Sequence, residues 1–186
     1  EKPKPFSGQI GTLCLLTPRK RVYELILALP ALIRAGYDLR LQIAGERVDR
    51  FARDYAAMES LPARLGIDDR VTFCGYVADK DAWYRGIDIF VSHSYAETQH
   101  VALQEAMAAG CYCLAHFWEG VEEFLPSAYI YGPNEELQGK IAAYCEMDEE
   151  QRRNLRAPLR KIVEEQFDIE QTKEQIREVI EQTAAD

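Results

Sequence analysis

Short apolar runs alternate along this chain with longer stretches in which apolar residues recur every three or four positions. Ile10-Gly11-Thr12-Leu13-Cys14-Leu15-Leu16 is nearly continuous, as a parallel strand covered on both faces requires. Thr17-Pro18 can cap and open a helix, whose stripe is Val22, Leu25, Ile26, Leu29, Leu32 and Ile33 and whose end comes by Gly36. Asp38 to Gly45 alternates polar and apolar, as a strand near a sheet edge does. A polar helix follows over Asp49 to Leu65 and is expected to break near Pro62. Val71 to Val77 is the next strand and turn, and Asp79 caps a short helix through Arg85 with Trp83 and Tyr84 packing inward.

Ile87 to Val91 is a strand that ends in a polar loop closed by Glu97, and a compact apolar helix then runs from near His100 to Gly110. Cys111 to Ala115 and Ala128 to Tyr131 read as two more strands, with an acidic helix start at Glu122-Glu123 between them. Helices over 134–145, 148–166 and 168–183 close the chain. Asp148-x-x-Gln151 and Asp168-x-x-Gln171 have capping-box spacing, and Ile169, Thr172, Ile176, Val179 and Ile180 mark the expected buried stripe of the last helix. Strands alternating with helices predict one Rossmann-like three-layer α/β domain of about six mainly parallel strands, with helices on both faces.

Composition narrows the function. A chain of 186 residues usually forms one domain. Its net charge of −9 removes the basic face that nucleic acid needs, and no apolar run approaches the ~20 residues of a membrane span. Glu1-Lys2-Pro3-Lys4-Pro5 reads as a polar linker. Residues 1–8 are expected to lead from a missing amino-terminal domain, and 9–186 to form the folded unit. The five cysteines, odd in number and mostly in apolar runs, favour reduced thiols in a cytoplasmic protein.

The chemistry gathers around Val91 to Gly110. Strand, loop and helix N-terminus form the geometry of a ligand site in an open α/β sheet, and the helix start suits an anion. Glu97 lies before that helix and Glu105 within it, so both can face one crevice and accept hydrogen bonds from hydroxyls. Arg19, Lys20 and Arg21 stand at the first strand-to-helix turn, where cations can reach a diphosphate. The blander reading makes the two glutamates and the three cations solvated surface residues. His100 either donates to a phosphate or fills surface space. Metal-independent binding without a cofactor is expected, because three cations stand where a metal's charge would otherwise be needed.

Ser94-x-x-Glu97, followed seven residues later by Glu105-Ala106-Met107-Ala108-x-Gly110, resembles the retaining glycosyltransferases of the GT-B architecture (glycosyl transferases group 1, family 4 type). The likeness is to their carboxyl-terminal, donor-nucleotide-binding half, and it covers the chain from about Ile10 to Ile180. The family loop usually reads Pro-Ser-x-x-Glu-Gly-Phe-Gly; His93 stands at the proline, and Thr98 and His100 at the two glycines. Thr12 stands where the family carries an arginine. Lys20 or Arg21 matches the family lysine, with Arg21 fitting the helix register better.

The resemblance implies glycosyl transfer from a nucleoside diphosphate sugar to an acceptor, a glycan or lipid-linked glycan, by a retaining hexosyltransferase. It gives Glu97 the donor-sugar hydroxyls and Glu105 the ribose hydroxyls. Lys20, Arg21, Arg19 and the helix start at Thr98, Gln99 and His100 would take the diphosphate charge. The turn at Gly75 lies beside the base, with Tyr76 either stacking there or packed as a surface residue, and Glu123 has a peripheral role near the donor sugar. The partner domain would hold the acceptor, give any peripheral membrane attachment, and leave the isolated half inactive. Two other readings stand beside this one: a non-catalytic module with a decayed site, and a sugar-nucleotide epimerase of similar form.

Overall fold

A computed structural model describes residues 5–185; the Glu1–Lys4 part of the expected linker lies outside them. Six strands form one sheet: β1 (Gln9–Leu13), β2 (Arg40–Ala44), β3 (Val71–Gly75), β4 (Ile89–Ser92), β5 (Tyr112–His116) and β6 (Ile130–Tyr131). Their order is β3-β2-β1-β4-β5-β6 and every pairing is parallel, in agreement with the expected Rossmann-like fold. Seven α-helices connect and flank them: α1 (Val22–Arg34), α2 (Ala52–Leu65), α3 (Lys80–Gly86), α4 (Val101–Ala108), α5 (Asn134–Glu146), α6 (Glu149–Gln166) and α7 (Ile169–Ala185).

The topology places the site. The chain steps outward through β1, β2 and β3, then returns to β4 beside β1 and steps the other way. Right-handed crossovers therefore put α1 and α2 on one face and α4 on the other. Accordingly α1 packs on α2 and α5, while α4 packs on α6. A crevice opens where the direction reverses, outside the carboxyl ends of β1 and β4.

The core follows the apolar runs. Ile10, Leu41, Ile43, Ile89, Val91 and Leu114 have no exposed surface, and Phe90 has 1%; each such side chain contributes about 1.5–3 kcal/mol relative to exposure. Two glycines are demanded by close approach. A Cβ on Gly11 would sit 2.9 Å from Trp83 and 2.8 Å from Ile87, so this glycine lets α3 lie against β1. A Cβ on Gly45, at φ +124°, would meet the Cys14 carbonyl oxygen at 1.7 Å, which only glycine tolerates.

Three expectations are corrected. Pro62 does not break α2, which runs through it to Leu65. The proline sits in the final turn, and Gly66 closes the helix in the left-handed conformation, with the Ile67 N–H donating to the Pro62 carbonyl. The capping box forms at Asp148 and Gln151, but Asp168 instead accepts from the Glu170 N–H two residues on. The stripe of α7 is exposed: Ile169, Val179 and Ile180 at 61% and Ile176 at 54%. Its period is right, yet no described element covers it. At the other end Phe6 stacks edge-on against Tyr144, and Ser7 donates to Asp88 through N–H and hydroxyl, so the packed unit starts within the expected linker.

Candidate donor-nucleotide site

The loop from β4 to α4 is tied to the turn from β1 to α1 through backbone: the Tyr95 N–H donates to the Arg19 carbonyl at 3.0 Å. That contact brings Glu97 to Lys20, with Nζ to Oε1 at 2.5 Å and side-chain exposures of 14% for Lys20 and 8% for Glu97. The solvated-loop reading of Glu97 fails on this burial. Burial by itself would raise the Glu97 pKa, but the Lys20 ammonium and the Ser94 hydroxyl outweigh it, and the carboxylate is held ionised below its ordinary range.

Lys20, Glu97, Gln99, His100, Ala102 and Glu105 line one crevice of about 270 Å³, floored by Leu13 and Cys14 at the end of β1. The sequence reading thus placed both carboxylates correctly on one cavity. Glu105 is only partly buried. Its side chain is 30% exposed; Lys80 pairs with Oε1, and the Tyr84 hydroxyl donates to Oε2 at 2.9 Å. Lys80, the first residue of α3, also lines the crevice and was missed. Asp79 signalled the helix start and caps it, accepting from the Ala82 N–H at 2.9 Å. Nothing along the chain, though, linked that turn to Glu105.

The structure separates the two candidates for the family lysine. Lys20 faces the crevice. Arg21, favoured on register, is turned away. It occupies the left-handed cap of α1 at φ 50°, and its guanidinium binds Glu24, with Nε to Oε1 at 2.8 Å, and lies 4.3 Å from the Tyr95 ring centre. The left-handed cap rotates Arg21 off the line of Lys20, and the Glu24 pairing holds it there. Arg19 is exposed, and what it gives the site is its carbonyl. Thr12 is buried at 5% within β1.

His100 is not the surface residue of the blander reading. It is 94% buried and caps α4: Nδ1 accepts from the Leu103 N–H at 3.2 Å, so Nε2 carries the proton and donates to Ser92 Oγ. Burial holds its pKa below the ordinary value, with Glu97 opposing and Lys20 assisting that shift. The ring is therefore neutral and engaged, neither a surface residue nor a cation. Thr98 and His100 are not at positive φ, since Arg21 is the one such non-glycine among the described residues. The two missing family glycines are thus not needed for the fold of this loop.

On the α1 side, His93 Nδ1 lies 2.7 Å from the Tyr131 hydroxyl, and Nε2 lies 3.6 Å from Glu24 without a hydrogen-bond partner. Burial, Arg21 and His116 push its pKa down to about 4. Gly75 and Tyr76 line a separate recess of about 370 Å³ at the end of β3, beside Arg47 and Glu46, and Tyr76 is 73% exposed. Glu123 is exposed in a single 3₁₀ turn, Val121–Glu123. No helix among the described residues is long and apolar enough to cross a membrane.

Comparison with known proteins follows this geometry. Residues 7–145 match the family described as glycosyl transferases group 1. Mannosylfructose-phosphate synthase of Agrobacterium fabrum is 39% identical over 77 residues, which cover 39% of this chain and 16% of that protein. HepE of Anabaena, in a crystal structure with UDP and glucose, superposes with a TM-score of 0.87 at 23% identity over 94% of this chain and 48% of its own. The carboxyl-terminal domain of LpcC, a glycosyl transferase group 1 family protein of Francisella tularensis, superposes with a TM-score of 0.77 at 23% identity, over 87% of this chain and 86% of that domain. The chain thus spans about half the length of HepE and a smaller part of the synthase. With the parallel sheet, the switch-point crevice and the match over most of its length, this chain belongs to the glycosyl transferases group 1 family and has the fold of a GT-B carboxyl-terminal domain.

Proposed function

We propose that this chain is the donor-binding half of a retaining hexosyltransferase that uses a uridine diphosphate sugar. The observation that carries the reading is the single crevice holding Lys20, Glu97, Glu105 and the α4 N-terminus. UDP in the HepE crystal supports the choice of base. Glycosyl transfer expels the diphosphate, on which negative charge grows as the anomeric carbon becomes oxocarbenium-like. Preorganised cations and helix N–H groups aimed at that charge lower the barrier, and in this reading Lys20 and the start of α4, which line the crevice, take that role. Glu97, held ionised, accepts from donor-sugar hydroxyls, and Glu105 from the ribose. Neither is assigned as a nucleophile.

The acceptor, a glycan or lipid-linked glycan, belongs in this reading to an amino-terminal domain that closes over the crevice and excludes water. The share of HepE left uncovered supports that arrangement. A second reading, a module that binds no donor, is favoured by Thr12, which is buried and brings no cation to the crevice. Calorimetry of the 186-residue chain with UDP decides between them: binding in the micromolar range supports the enzyme half, and no binding at millimolar UDP supports the module. A transfer assay on this chain beside a longer one that includes the preceding sequence then tests the two-domain requirement. Equal transfer by the short chain removes it.

A further inference from the structure

The charged side chains that line the crevice are two lysines and two glutamates, Lys20, Lys80, Glu97 and Glu105, beside a neutral His100 and a neutral Cys14. Their charges cancel, so a diphosphate enters a neutral cavity unless one ion pair opens. Lys20 is the poorer candidate to move, since its pair with Glu97 is mostly buried and separating it would strand a desolvated carboxylate. Arg21 is committed to Glu24. Lys80 differs from both. Its side chain is 47% exposed on a flexible stem, and its partner Glu105 is 30% exposed, a setting in which an ion pair contributes little. Glu105 has a second anchor, the hydroxyl of Tyr84, which is 2% exposed and donates to Oε2 at 2.9 Å. Losing Lys80 therefore leaves Glu105 in position with Oε1 free.

We propose that Lys80 is a phosphate-binding residue that changes partner when the nucleotide enters: its ammonium passes from Glu105 Oε1 to the diphosphate, and a ribose hydroxyl donates to the oxygen it leaves. This rests on the nucleoside diphosphate reading above. The exchange gives the diphosphate a cation and leaves Glu105 held by hydrogen bonds from Tyr84 and the ribose. It supplies the second cation that Arg21 does not bring to the crevice, and it makes ribose and phosphate recognition a joint event. In this scheme Tyr84 is a positioning residue for Glu105.

The test is calorimetry of the 186-residue chain and its Lys80→Met and Lys80→Arg variants against UDP, UMP and uridine, with melting temperatures measured alongside. Lys80→Met is expected to weaken UDP about tenfold, the size of one charge-assisted contact, to change uridine by less than about twofold, and to keep its melting temperature; Lys80→Arg restores most of the UDP affinity. If Lys80 only neutralises Glu105, all three ligands change by the same factor, and that result, or unchanged affinities, overturns the proposal. Failure of the wild-type chain to bind UDP removes the nucleotide reading and this proposal with it. Wild-type binding with an unaltered UDP-to-uridine ratio in Lys80→Met removes this proposal alone.

Discussion

Lys20 and Glu97 lie 77 positions apart in the chain, and their side chains meet at 2.5 Å across the point where the strand order reverses. The pair joins the β1–α1 turn to the β4–α4 loop in a largely dry setting. Removing one member leaves the other charged and poorly solvated, whereas removing both does not. Lys20→Met is therefore expected to destabilise the fold by about 3 kcal/mol, and Lys20→Met with Glu97→Leu by clearly less. Urea unfolding of the two single variants and the double variant measures the coupling, and strictly additive losses would show that the pair is not joined energetically.

Glu105→Ala is expected to weaken UDP binding by about 1.5–3 kcal/mol, as loss of hydrogen bonds to a charged acceptor does, with little change in melting temperature. The side chain is partly exposed, so its stability contribution is small. Comparison of UDP with 2′-deoxy-UDP locates the loss on the ribose: the variant should discriminate less between the two than the wild type.

His93 predicts an acid-sensitive fold. Its pKa in the folded protein is about 4 against an ordinary 6.5, so the unfolded chain binds more protons between those values, and stability falls as pH drops from 6.5 to 4, by up to about 1.4 kcal/mol per pH unit. Buried His100 shifts in the same direction. The Arg21 guanidinium holds Glu24 at about 2, which extends the loss below pH 4.5. Denaturant midpoints across this range, in the wild type and His93→Gln, should show a shallower slope in the variant; identical slopes would sink the assignment to His93.

His100→Ala removes the cap of α4 and the hydrogen bond to Ser92, and is expected to cost about 1–2 kcal/mol. His100→Gly should not do better through backbone freedom, because φ at this position is −86°. Thermal unfolding of both variants makes the comparison, and a glycine variant as stable as the wild type would contradict the capping role.

Nucleotide binding is expected to be independent of divalent metal, since Lys20 and the α4 N-terminus line the crevice into which the proposed function puts the diphosphate. Titration of UDP in EDTA and in excess Mg²⁺ should return the same Kd within about twofold; a strict metal requirement would overturn this.

Much of this protein was legible from its sequence because strand burial and helix periodicity are local signals. Near-continuous apolar runs such as Ile10 to Leu16 and Ile87 to Val91 gave the parallel strands, and the Glu97–Glu105 spacing allowed both carboxylates to face one crevice, which they line. Tertiary structure alone decided which of Lys20 and Arg21 faces that crevice, because the left-handed backbone at Arg21 and its pairing with Glu24 are invisible to helical register. It alone brought Lys80 to Glu105, 25 positions away, since that meeting depends on how α3 and α4 pack across β1 and β4. It also turned His100 from a surface residue into a buried cap, because burial depends on neighbours that the local pattern does not name. The stripe of α7 marks the limit from the other side: periodicity shows that a helix has an apolar face, and only the packing shows whether anything covers it.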